Sequence, residues 1–195
     1  MMKILKDVGR RTLYKILFIK HQQANKKNIM IFSTRRGGST WLAQLLSYPK
    51  HIRYIDHVFG YIHADWVEKK YLPKVYFNHY IEKDNRIIYY INKIEEGKLL
   101  VRTSWNPFHE DFMRVSNRIV YKVTWGKALI EWFHQMNRWH IIYQMRHPIA
   151  NALSLKKLRW GITAEAFLEN KKFCEKYLNK ELIEYSRRIL RGNDI

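Results

Sequence analysis

Apolar residues fall into two kinds of short block along the chain. Residues 28–34, 52–59, 99–105, 118–125 and 140–146 are runs rich in Ile, Val and aromatic side chains, and each predicts a strand. Between them the apolar period lengthens. Trp41, Leu42, Leu45 and Leu46 share one face of a helix over 39–48, with Pro49 just beyond it, where helices commonly stop. Leu129, Trp132, Phe133 and Met136 do the same over 126–137, and 150–158 reads as helix after Pro148. Phe167, Cys174, Leu178, Leu182, Tyr185 and Ile189 predict one or two further helices. Residues 60–96, dense in Tyr, Lys and His, show no clear period. In the basic N-terminal stretch, Leu13, Ile16, Leu17 and Lys20 have helical spacing.

Strands alternating with helices predict an α/β fold: a single three-layer domain over 28–195 whose mainly parallel sheet is flanked by helices, preceded by a basic helical segment at 1–27. A length of 195 residues with 47% hydrophobic content suits one domain with a sizeable core. The balance of 36 basic against 17 acidic residues, +19, favours an anionic partner. Its basic residues are spread along the chain with no nucleic-acid motif among them, so no nucleic-acid partner is expected. The single Cys174 excludes an internal disulfide and a cysteine zinc cluster. The longest uncharged apolar run of the N-terminal stretch, 16–19, is far short of the ~20 residues a membrane span needs. Without a span or an apolar leader core, a cytoplasmic location is expected.

The chemistry concentrates at the first strand–helix junction, "STRRGGSTWL". A strand that turns through Arg35, Arg36, Gly37 and Gly38 directly into a helix presents unpaired backbone N–H groups and the positive end of the helix dipole. Ser39 and Thr40 add hydroxyls and Arg36 a charged fork, so the junction predicts a phosphate site. It is P-loop-like only in outline. Gly38 precedes Ser39 with no lysine between, and Ser33 stands where the upstream glycine of the ATP/GTP loop would be.

This stretch resembles the 5′-phosphosulfate loop of sulfotransferases that use 3′-phosphoadenosine-5′-phosphosulfate (PAPS). Arg36 falls on the basic position, Gly38 on the glycine, Ser39 and Thr40 on the hydroxyls and Trp41 on the aromatic beside the nucleotide, while Gly37 replaces the usual Ser or Thr. A second stretch, "WHIIYQMRHPIANALSL", resembles the family's 3′-phosphate motif, with Arg146 at the strand end and Ser154 on the following helix. The resemblance implies a transferase that moves a sulfuryl group from PAPS to an acceptor hydroxyl or amine, releasing PAP. Nucleotide contacts would come from Arg36, Gly37, Gly38, Ser39, Thr40, Trp41, Arg146 and Ser154.

It also implies that Arg36 stabilises charge on the leaving phosphate, and that a general base is required. His57 is the first choice, titrating as an ordinary imidazole. Asp56 is its rival, because adjacent strand residues point to opposite faces; His109 and Glu110 are weaker choices. "IVYKVTW" is similar to a family strand in which Lys122 would line the sulfuryl site, with Thr124 standing where small-molecule enzymes carry a His. No metal is expected. The Gly-x-x-Gly-Asp-Trp-Lys closing segment of many cytosolic relatives is missing, which implies a C-terminally abbreviated domain. The aromatic, basic stretch 66–90 would suit a glycan acceptor. A kinase-like α/β protein and a basic nucleic-acid or anionic-surface module are the alternative classes; for the first, neither a Walker lysine nor a magnesium-binding Asp at a strand end is evident.

Overall fold

In a computed structural model, residues 8, 9, 12, 20–21, 26–49, 51–74, 82–99, 101, 115–158 and 167–191 are described. The centre is a four-stranded sheet of β2 (Asn28–Ser33), β3 (Ile52–Ile55), β5 (Arg118–Val123) and β6 (Trp139–Gln144), ordered β3-β5-β2-β6. All its pairings are parallel, with Ile29 opposite both Val120 and His140. Every residue of β2 is buried, because a central parallel strand is covered on both faces and therefore reads as a continuous apolar run.

Alternation along the strands builds two cores. Ile29, Ile31 and Val120 pack against Leu42, Ala43 and Leu46 of α1 (Ser39–Ser47). Met30, Phe32, Ile119, Tyr121 and Val123 face the other way. They pack against Ile87, Tyr90, Ile91 and Ile94 of α2 (Asn85–Glu95) and Phe133 of α3 (Ile130–Gln135). The expected α/β arrangement is present, with helices on both faces of a parallel sheet.

Several boundaries move. The third predicted strand is absent where described: Leu99 and Val101 are buried in the core without strand pairing, and the rest of 99–105 lies outside the described residues. The predicted helix at 126–137 begins as a 3-10 turn, Lys127–Leu129, after Gly126 in a left-handed conformation. Lys20, the last residue of the N-terminal helical spacing, belongs instead to a two-residue strand, β1 (Lys20–His21), parallel to β4 (Val115–Ser116). Val8, Gly9 and Thr12 are helical; most of 1–27 lies outside the described residues.

Part of 60–96 is ordered by a capping box. The Asp65 carboxylate accepts from Val67 and Glu68 N–H at 2.9 and 3.0 Å, and Glu68 accepts from Asp65 N–H at 2.6 Å. After Gln144, Pro148 opens α4 (Pro148–Lys157) at its first turn. Two further helices follow, α5 (Lys171–Tyr177) and α6 (Lys180–Leu190). Among the described residues no helix is long and apolar enough to cross a membrane.

Candidate functional site

The carboxyl ends of parallel strands deliver their loops to one edge of the sheet. The helix after β2 covers one face and the helix after β5 the other, so the two connections part above this strand pair, the position where open α/β sheets take their ligands. The loop 34–38 lies there. It closes with Gly37 N–H donating to the Thr34 carbonyl at 3.1 Å. A Cβ on Gly37 would meet that carbonyl at 3.0 Å and the Thr34 hydroxyl at 3.1 Å, which gives a steric reason for the missing Ser or Thr. Gly38, with φ 91°, caps α1 and supplies no side-chain acceptor, so the first N–H groups of the helix have no capping side chain. Arg36 also has a left-handed φ, 61°, a conformation that costs a non-glycine residue free energy and that clusters at functional sites.

Two motifs far apart in the chain meet at this loop. Arg36 Nε donates to Ser154 Oγ of α4 at 3.0 Å. One turn earlier, Asn151 Nδ2 donates to Thr34 Oγ1 at 3.0 Å. The Asn151 Oδ1 and Gln144 Oε1 atoms are buried with no donor among the described residues, so this junction offers two acceptors to a ligand or water. Arg146 is exposed and has no hydrogen bond or ion pair to a described residue; Ser154 meets Arg36 instead. Trp41 is 67% exposed on the outer side of the first turn of α1, as an open stacking surface.

Lys122 enters from β5. Strand alternation turns it to the α1 face, where it is 4% exposed. Its Nζ donates to Thr40 Oγ1 at 2.8 Å and lies 2.7 Å from Asp56 Oδ1. The loop lacks its own lysine, and β5 brings an ammonium to its second hydroxyl. Thr40 accepts here, which keeps its O–H for an anion.

The expectation that Asp56 and His57 point to opposite faces is overturned. β3 stops at Ile55, and His57 takes a left-handed φ of 49°, so the alternation ends before it reaches them. Val58 N–H then donates to the Lys122 carbonyl at 3.4 Å, and Gly60 N–H to the His57 carbonyl at 2.7 Å. His57 Nδ1 lies 2.7 Å from Thr124 Oγ1, its Nε2 lies 3.6 Å from Asp56, and its ring stacks on His63 with centroids 4.6 Å apart.

His57 is not an ordinary imidazole either. Burial pushes its pKa down to about 4; Asp56 opposes the shift, and the Lys122, His63 and Arg35 charges add to it. It is neutral at pH 7, so its approach to Asp56 is not an ion pair. The Tyr54 phenol is held well above its usual range, first by burial and then by the Asp56 carboxylate.

Residues with weaker sequence signals complete the site. Arg35 stands over the Trp125 ring with its guanidinium carbon 5.9 Å from the centroid. Asn151 and Gln144 have no composition signal; only the folded β6–α4 junction places them against the loop. His109 and Glu110 lie outside the described residues. No group of three or more His, Cys, Asp or Glu among the described residues could hold a metal ion. No protein-family model matches the chain, and neither the curated proteins nor the solved structures contain a significant match.

Proposed function

We propose that the protein is a PAPS-dependent sulfotransferase. One observation carries this reading: the hydrogen bond from Arg36 to Ser154. It joins, across 118 residues of sequence, the loop that resembles a 5′-phosphosulfate site and the helix that resembles a 3′-phosphate site. A nucleotide with phosphates on both sides of its ribose is the ligand such a pairing suits.

In this reading the α1 N-terminus, Ser39 and Thr40 hold the 5′-phosphate, and Ser154 with Arg146 holds the 3′-phosphate. Trp41 stacks beside the nucleotide. The acceptor oxygen attacks sulfur, the bond from sulfur to the 5′-phosphate oxygen breaks, PAP leaves, and the acceptor proton passes to a base. Arg36 and Lys122 offset the charge that builds on the leaving oxygens, where fixed donors are most effective. His57 stays unprotonated at any pH above about 4. In the tautomer whose Nδ1–H donates to Thr124, Nε2 is the proton acceptor.

A second reading, a magnesium-nucleotide enzyme, draws on Asp56. Asp56 follows β3 directly and reaches Thr40 through Lys122. That ammonium already neutralises the carboxylate, which favours the sulfotransferase reading.

Calorimetry with PAP, adenosine 5′-phosphosulfate, magnesium ATP and a single-stranded oligonucleotide separates the classes. PAP is expected to bind at least tenfold more tightly than adenosine 5′-phosphosulfate. Arg146→Ala should remove roughly that factor, the worth of one charge-assisted hydrogen bond. Tightest binding by magnesium ATP or by the oligonucleotide would reject the sulfotransferase reading.

A further inference from the structure

The helix α6 is set by a local cap: the Asn179 side chain accepts from Leu182 N–H at 2.8 Å. It contributes no residue to either core of the sheet. Its Ile183 and Ser186 are half-buried, whereas Leu182, Tyr185 and Ile189 are 48, 52 and 44% exposed. Steps of three and then four residues put these last three side chains in one stripe along the helix. A single exposed apolar residue needs no explanation, but an aligned stripe is the pattern by which one helix meets another.

The charges beside the stripe decide what can cover it. Leu182, Tyr185 and Ile189 have the spacing of heptad positions a, d and a, so Glu181 and Arg188 both fall at g, on one flank, and Ser186 at e, on the other. Arg188 leans along the stripe, its guanidinium carbon 5.9 Å from the centre of the Tyr185 ring. A parallel partner of the same sequence would set g against e, and Glu181 would face the uncharged Ser186. An antiparallel partner sets g against g, and Glu181 meets the partner's Arg188. The interval from Glu181 to Arg188 equals that from Leu182 to Ile189, so one two-fold axis beside Tyr185 matches both pairs, each twice.

We propose that this face of α6 is a self-association surface, on which two copies of the chain pair their α6 helices antiparallel. The face is complementary to itself in shape class and in charge, as a two-fold interface requires. The helix of 11 residues gives a seam only about 16 Å long. That is small beside the interface of a stable dimer, so the two copies associate and separate with concentration. The +19 charge of each copy opposes pairing at long range and is screened by salt, which leaves the local match at the seam to decide. The surface does not depend on the sulfotransferase reading.

Sedimentation of the full chain in about 0.15 M salt should show a monomer–dimer equilibrium that moves with protein concentration. Arg188→Glu and Glu181→Arg should each weaken the dimer roughly tenfold, by turning two attractions into repulsions. The double variant, with the charges exchanged, should restore it. Arg187→Glu makes the same charge change on the opposite side of the helix and should leave the equilibrium where it was. Cross-linking under oxidised glutathione, in a Cys174→Ser background, reads the orientation. Leu182→Cys protein mixed with Ile189→Cys protein should form a disulfide dimer, and neither should do so alone. A monomer at every concentration, which is also the result if a different chain covers the face, would overturn the proposal. So would an equal response to Arg187→Glu and Arg188→Glu, or cross-linking of Leu182→Cys to itself.

Discussion

Each end of the parallel sheet carries a charged side chain sunk among polar partners, Glu95 at the amino ends of the strands and Lys122 at the carboxyl ends. At the amino end, Glu95 Oε1 accepts from Asn28 Nδ2 at 2.9 Å, Trp139 Nε1 at 2.7 Å and Tyr121 OH at 3.4 Å, while Oε2 accepts from Arg138 Nη2 at 3.1 Å. Asn28 in turn accepts from Ile119 N–H at 2.8 Å. Both oxygens of the carboxylate have donors, the charge is matched by Arg138, and the knot ties α2 to β2, β5 and β6. The Lys122 end differs in each respect. Its backbone includes left-handed Arg36 and His57, its buried Lys122 pairs with a single carboxylate, Asp56, and it leaves carboxamide acceptors without described donors. A saturated knot stabilises a fold, whereas backbone strain and a buried charge cluster at functional sites, and the unmatched acceptors there call for a donor.

The contrast is broken most forcefully at Glu95. Glu95→Ala leaves the buried donors of Asn28, Trp139 and Tyr121 without their acceptor and should cost roughly 3–5 kcal/mol, lowering Tm by on the order of 10 °C for a chain of this size. PAP affinity of the folded fraction should be unchanged. Glu95→Gln, which keeps an acceptor for Trp139 and Asn28, should cost less. Chemical denaturation and calorimetry together check this, and a loss of PAP affinity in folded Glu95→Ala would erase the distinction between the two ends.

Arg36→Ala should behave in the opposite way. Turnover of PAPS should fall by roughly 10²–10³-fold, as when one preorganised transition-state donor is removed, with little change in denaturation midpoint. Arg36→Lys should keep part of the rate. Unchanged radiolabelled sulfuryl transfer in Arg36→Ala would remove Arg36 from the chemistry.

His57 sharpens the comparison through pH. In the unfolded chain its imidazole protonates near 6.5, and in the folded protein only near about 4. Between those values the unfolded state binds the extra proton, so this contribution to stability is present above about 6.5 and is lost as pH falls toward 4. The loss between pH 7 and pH 5 should be about 2 kcal/mol, read as the difference between wild type and His57→Gln in denaturant melts. Identical pH slopes in the two proteins would show that His57 is not buried as a neutral group. Activity, if His57 is the base, should hold down to about pH 4 and not fall near 6.5.

The loop–helix junction at 34–41 was legible because its signal is local. Glycines, hydroxyls and arginines at a strand–helix boundary act through backbone geometry that a few neighbouring residues set. The capping box at Asp65 and Glu68 is equally local but was missed, because 60–96 as a whole showed no period to anchor it. Other features were not local. Nothing around Leu99 and Val101 distinguishes a strand from a buried irregular segment, since burial alone selects apolar residues. The end of β3 at Ile55 depends on Val58 pairing with Lys122, a contact 64 residues away in sequence.

By itself the sequence determined the alternation of strands and helices, the parallel sheet this implies, and the strand–loop–helix junction at 34–41, because periodicity and backbone preferences belong to short windows. Only the tertiary structure decided which strands are neighbours. It brought Ser154 to Arg36, Lys122 to Thr40 and Asp56, and Arg35 to Trp125, and it pushed the His57 pKa down to about 4. Those outcomes depend on distance and burial between residues far apart in the chain, and both are properties of the packed molecule.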